Sequence, residues 1–203
     1  MSFIDTIPAN DARGEVRDMY LRQHGAWGFV PGYAKVYCHR PRVMSRCGQL
    51  LAEIKRPVDH RLLELVTLAA AHELRHSACS LAHGSALAKM IGNDAVIAMV
   101  KGESHEELSE TDEAIIAFAR GVARDASRIS SSEVSALKEK HGLTDAEIFD
   151  IAAIAASRSF FTKLLDALGV EPDQAFMKLD DDLRQELTVG RPISCHQPEV
   201  LPE

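Results

Sequence analysis

Apolar residues recur every three or four positions along most of this chain, and the runs are separated by capping residues, glycine and proline. Asn10 is placed to cap a first helix, with Gly25 as its stop, and Gly28, Pro31 and Gly32 mark a link. A short apolar piece over residues 33–37 leads to His39-Arg40-Pro41. A helix over about residues 42–54 follows and ends before Pro57. Leu62, Leu63, Val66, Ala69 and Ala70 predict a helix over about residues 59–75. A further helix runs to Ile91 and is closed by Gly92, and Asn93 opens a short one to about residue 101. Ser109-x-x-Asp112 reads as a capping box with Asp in place of Glu, and Ser130-x-x-Glu133 and Thr144-x-x-Glu147 as capping boxes proper. The Thr144 helix carries the apolar stretch 148–168 to Gly169, and a last helix covers 173–187.

No segment alternates with period two, so the fold class is all-α. Residues 1–188 read as a single helical domain. Residues 189–203, with three prolines and little to bury, read as an extended tail, mobile unless a partner holds it.

Composition narrows the function. The 203 residues are 46% hydrophobic and 26% charged, an ordinary globular balance. A net charge of −7 argues against nucleic acid and against anionic membrane surfaces as partners. No apolar run approaches the ~20 residues that span a bilayer. The N-terminus lacks the basic and apolar parts of a signal peptide, so a cytoplasmic location is expected. The four cysteines, Cys38, Cys47, Cys79 and Cys195, have no disulfide-framework spacing and read as free thiols.

The chemistry concentrates in residues 64–87, which hold Glu64, His72, His76, Cys79 and His83. On one continuous helix at ~100° per residue, the three histidines and the cysteine share an arc of roughly 60°. Cys79 and His83 are i, i+4 neighbours, so the imidazole can take the thiol proton or hold a thiolate. A chain break near residues 75–77 would put Cys79 in the first turn of a new helix, whose dipole favours the thiolate. Glu64 is a candidate to orient His83. The competing reading of the same spacing is a buried cysteine beside a satisfied histidine.

The same residues admit other chemistries. His76, Cys79 and His83 could bind a metal only if the helix breaks, because His76 and His83 are about 10 Å apart on a continuous one. His72-Glu73-Leu74-Arg75-His76 matches H-E-x-x-H, but it lacks the metzincin extension and accompanying strands. Asp180-Asp181-Asp182 lacks EF-hand spacing and reads as a solvated helix start. Trp27, Phe29 and Tyr33 read as core or subunit contact, with pocket lining as the alternative, and Phe160 and Phe161 as core or substrate-channel lining.

The spacing Glu64-x11-His76-x2-Cys79-x3-His83 resembles the Glu-x11-Cys-x2-Cys-x3-His signature of the alkylhydroperoxidase D-like, or carboxymuconolactone decarboxylase, family, with His76 in place of the first cysteine. The run Leu62-Leu63-Glu64-Leu65-Val66, Phe29-Val30-Pro31-Gly32-Tyr33 with His39-Arg40-Pro41, and Phe160 to Val170 extend the likeness, toward the peroxidase-related branch, over about residues 3–175. The resemblance implies an all-α bundle of that type, assembled as an intertwined trimer or hexamer; no cofactor and no metal is expected. It makes Cys79 the peroxidatic nucleophile, His83 its base and Glu64 the relay carboxylate, with His76 a hydrogen-bond donor or second base. The implied function is a thiol-dependent peroxidase acting on a small-molecule peroxide. With no C-x-x-C pair, another thiol such as Cys195, Cys38, Cys47 or an external reductant must resolve a sulfenic acid at Cys79. Two alternatives share the fold. One is an acid/base enzyme acting on a small carboxylated compound, as in the decarboxylases. The other is a helical oligomer that binds a ligand or metal through its histidines.

Overall fold

The computed structural model describes residues 2–201. Among them the chain forms ten α-helices and short 3-10 turns, and no strand. In chain order the helices are α1 (Gly14–Trp27), α2 (Gly32–Val36), α3 (Pro41–Lys55), α4 (His60–Glu73), α5 (Ser77–Ile91), α6 (Asn93–Lys101), α7 (Glu110–Asp125), α8 (Ser131–Glu139), α9 (Asp145–Ala167) and α10 (Asp181–Leu187). None is long and apolar enough to cross a membrane.

Local chemistry sets most helix starts. Asp59 accepts from the Leu62 amide to open α4. The boxes Ser109/Asp112, Ser130/Glu133 and Thr144/Glu147 all form, each satisfying donors that the first helical turn leaves without partners. Three boundaries differ from expectation. Asn10 lies in a 3-10 turn, and α1 starts later, with Arg13 at its cap and no side-chain bond there. Gly25 continues that helix; the stop is Gly28, which takes the left-handed conformation (φ 77°) that a terminating residue needs. The last predicted helix is split into a 3-10 turn, Gln174–Lys178, and α10, because Asp180 turns its carboxylate onto the amides of Asp182 and Leu183 and starts a new helix.

Helix α4 is the axis of the bundle. Every residue from Glu64 to Ala71 is buried, because α5, α7 and α9 pack around it. A helix enclosed on several sides needs small and apolar residues all round, which accounts for the Leu-Ala composition here. One carboxylate, Glu64, lies inside that enclosed stretch and must be paired to be tolerated.

A second apolar cluster, with Met19, Tyr20, Val30, Tyr37 and Leu165, joins the N-terminal helices to α9. The chain beyond α10 closes over it. The Gly190 amide donates to Ser77 Oγ at 2.8 Å, and Val30 donates to the Glu199 carbonyl at 2.8 Å. The Glu199 carboxylate accepts from the Ala9 amide at 2.7 Å and pairs with Lys35, and Leu201 is buried in the cluster. Burial of such a side chain contributes about 2 kcal/mol. Ser77 of α5 and the N-terminal segment of the same chain therefore hold this tail; its last two residues lie outside the described ones.

Candidate active site

The site begins with a break in the backbone. Helix α4 ends at Glu73, and the next residues form a Schellman motif: the Arg75 amide donates to the His72 carbonyl at 2.9 Å and the His76 amide to that of Ala71 at 3.0 Å. The left-handed position of that motif is Arg75, with φ 56°, the one non-glycine residue with positive φ among those described. His76 is extended and caps α5, its Nδ1 accepting from the Cys79 amide at 3.1 Å.

This break redistributes the four residues that a continuous helix would have aligned. His72 remains on α4 beside Arg120 and Glu186, with Glu73 next to it. His76 is buried at the junction as a cap, its lone pair taken by the Cys79 amide. The H-E-x-x-H geometry does not form, because its two imidazoles lie on either side of the reversal. No group of three or more His, Cys, Asp or Glu side chains among the described residues is arranged to hold a metal ion.

Cys79 and His83 lie one turn apart on α5, and Glu64 faces them from α4. His83 Nδ1 lies 2.6 Å from Glu64 Oε2. A carboxylate can only accept, so Nδ1 carries the proton and the Nε2 lone pair is left to take another. His60, one turn before Glu64, places Nε2 3.3 Å from the second carboxylate oxygen. Burial works to raise the Glu64 carboxyl, but the hydrogen bond and charge of His83, with His60 and Lys55, outweigh it and hold the group below its ordinary value. Burial holds His83 below its ordinary value despite Glu64, which favours the neutral imidazole.

Burial also controls the thiol. It pushes Cys79 up to about 11, against the opposing charge of Arg158. The helix-start position expected to favour a thiolate is present, but burial holds the group above its ordinary value and favours the protonated thiol.

Cys79 and His83 line a cavity of about 230 Å³, together with Trp27, Tyr33, Lys55, Arg158, Phe161 and Phe176. Trp27 and Tyr33 meet edge to face at 6.5 Å, and Tyr33 and Phe161 at 5.6 Å. Phe161 thus lines the cavity, whereas Phe160, expected in the core or a channel, is turned ~100° away along the helix and is 54% exposed. A larger groove of about 490 Å³, between the N-terminal segment and the tail, contains neither Cys79 nor the Glu64–His83 pair. The other thiols lie elsewhere and are free: Cys38 is in the N-terminal cluster, Cys47 on α3, and Cys195 exposed on the tail.

Three site residues were not anticipated. Arg158 occupies the buried stripe of α9, in line with Ile148, Ile151, Ala155, Thr162 and Leu165. A lone arginine at a core position of an apolar stripe is a legible signal. His60 could have been found from its i, i+4 spacing to Glu64 on the same helix, whereas Lys55 carries no such signal, because its place depends on how α3 approaches the rest of the bundle.

The architecture is the all-α fold of the alkylhydroperoxidase D core. A structure described as an alkylhydroperoxidase AhpD core, an uncharacterized peroxidase-related protein from Ralstonia eutropha JMP134, superposes with a TM-score of 0.71 at 20% identity, over 94% of this chain and 98% of that one. An uncharacterized peroxidase-related protein from Silicibacter sp. TM1040 superposes with a TM-score of 0.72 at 16% identity, over 87% and 94%. At these identities the likeness establishes the fold. No family model and no curated protein matches the sequence.

Proposed function

We propose that this protein is a thiol-dependent oxidoreductase that reduces hydroperoxides, with Cys79 as nucleophile, His83 as base and Glu64 as the carboxylate that orients and charges His83. The observation that carries this reading is the 2.6 Å Glu64–His83 contact at the wall of the cavity that Cys79 also lines. A neutral imidazole with a fixed tautomer is what a thiol held above its ordinary pKa needs for activation. Likeness to the fold of two peroxidase-related proteins supports the same class.

In the proposed step, His83 Nε2 takes the thiol proton. The sulfur attacks the outer peroxide oxygen, the S–O bond forms and the O–O bond breaks. The alcohol leaves after receiving the proton from His83, and Cys79 becomes a sulfenic acid, oxidised by two electrons. An external thiol then condenses with the sulfenic acid, releasing water and leaving a mixed disulfide, and a second thiol reduces that disulfide. His76, in the place of the family's first cysteine, is given a positioning role: it caps the turn that presents Cys79.

The test is sulfenate mapping. The protein is treated with substoichiometric hydrogen peroxide or cumene hydroperoxide in the presence of a sulfenate probe, and the labelled cysteine is located by mass. Cys79 is expected to label first, at least about tenfold more slowly in His83→Ala. Labelling of Cys79 no faster than Cys38 or Cys47, or turnover that survives Cys79→Ser, overturns the reading and leaves acid/base chemistry at His83.

A further inference from the structure

Two cations face the cavity without a carboxylate of their own. Arg158 is only 5% exposed, and its Nε has no hydrogen-bond partner. Its neighbours are Ser157 Oγ at 3.4 Å, the Phe161 ring, whose centroid lies 5.9 Å from the guanidinium carbon, and the Cys79 thiol, which is neutral and leaves the charge unpaired. Lys55, at the end of α3, lines the same space, and among the described residues neither cation is in an ion pair. Burial and the charge of Arg158 hold the Lys55 ammonium below its ordinary value, as two like charges sharing one space require.

The nearby carboxylates are engaged elsewhere. Glu64 is bound to His83 and His60. Asp173, which also lines the cavity, accepts from the Gly32 amide at 2.9 Å, and burial pushes it up to about 6. Asp166 lies 3.8 Å from Arg191. The cavity therefore carries an excess of positive charge. A buried guanidinium with an unpartnered donor costs free energy unless an anion completes it.

The remaining walls, Trp27, Tyr33, Phe161 and Phe176, are aromatic, and about 230 Å³ lies below the roughly 300–1,000 Å³ of drug-sized sites. We infer that Lys55 and Arg158 form an anion subsite, and that the cavity takes a small carboxylate with an aryl or compact apolar body. The guanidinium fork and the ammonium hold the carboxylate, and the aromatic walls hold the body. The substrate would then be a hydroperoxide bearing a carboxylate, a step that rests on the thiol reading; the binding claim does not.

Trp27 is the only tryptophan in the chain and lines the cavity, so its fluorescence reports occupancy without turnover. The whole protein is titrated with benzoate and with its neutral isostere benzamide, by fluorescence and by calorimetry. Benzoate is expected to bind about tenfold or more tightly than benzamide, and its affinity to fall with salt. Lys55→Gln, at a half-buried helix end, is expected to weaken benzoate several-fold and benzamide little with unchanged helical circular dichroism, and Arg158→Gln to weaken it further. No saturable benzoate binding, equal affinity for the two compounds, or a Lys55→Gln variant that binds benzoate as well as the unaltered protein overturns the subsite. Because nothing here reads sulfur chemistry, an unreactive Cys79 sinks the peroxidase reading and leaves this one standing, and the reverse also holds.

Discussion

Glu64 and His83, 19 positions apart and on different helices, meet at 2.6 Å, so that a buried carboxylate is satisfied by an imidazole that lines a cavity. Glu64→Gln keeps the shape of the pair and removes its charge. Glutamine can donate to Nδ1 as well as accept from it, so the tautomer is no longer fixed and the Nε2 lone pair is lost in part of the molecules. Sulfenate formation at Cys79 is expected to fall by about 10²–10⁴, the range that general acid–base assistance supplies. A loss below about threefold in stopped-flow peroxide consumption would show that Glu64 only fills space.

His76 links acid stability to the turn that presents Cys79. Burial, with Arg158 adding to it, holds the imidazole at about 4 against an ordinary 6.5. Below pH 6.5 the unfolded chain gains a proton that the folded one does not, so stability falls as pH drops from 6.5 toward 4. The loss from this one group reaches about 3 kcal/mol. His72 and His83 are shifted in the same direction and add to the slope. His76→Asn keeps a capping acceptor but removes the titration. Urea unfolding at pH 7 and pH 5 should show a smaller drop for this variant; identical drops would place the acid sensitivity elsewhere.

The thiol gives the alkaline counterpart. With Cys79 held at about 11 against an ordinary 9.0, the folded state keeps its proton after the unfolded chain has lost one. Its stabilising contribution is complete below about pH 9 and is lost as pH rises toward 11. Iodoacetamide at pH 8 should therefore modify exposed Cys195 before Cys79, and the Cys79 rate should still be climbing beyond pH 10. A Cys79 rate that levels off near pH 8 would mean a stabilised thiolate.

The reversal at Arg75 has a backbone test. A left-handed arginine costs roughly 1–2 kcal/mol, and glycine removes that cost while adding freedom to the unfolded chain. Because Arg75 is exposed, Arg75→Gly should stabilise by up to about 1 kcal/mol, whereas Arg75→Val should cost at least about 1 kcal/mol. Chemical denaturation decides the sign.

The tail presses on the same turn. A Cβ at Gly190 would sit 2.0 Å from the Arg75 carbonyl oxygen, a backbone atom that cannot swing aside. Gly190→Ala should cost about 1–3 kcal/mol and loosen the bridge between Val30 and Glu199, seen as faster amide exchange at Val30. Unchanged exchange there would mean that the tail is held without the Gly190–Ser77 contact.

The sequence by itself determined what depends on neighbours within a turn or two. The boxes at Ser109, Ser130 and Thr144 form where their side chains reach three residues along the chain, and the apolar periodicity is enough to make the fold all-α. The spacing of Glu64, Cys79 and His83 was legible too, through its likeness to a known signature. Tertiary structure decided what depends on how helices approach. The Schellman turn at Arg75 sends His72 and His76 to different surroundings, although one helix would have aligned them. Burial in the packed bundle, which no local pattern encodes, raised the Cys79 thiol. Lys55, from α3, and Arg158, from α9, were brought to one cavity by side-chain packing over about a hundred residues of chain, a distance at which no local pattern carries information.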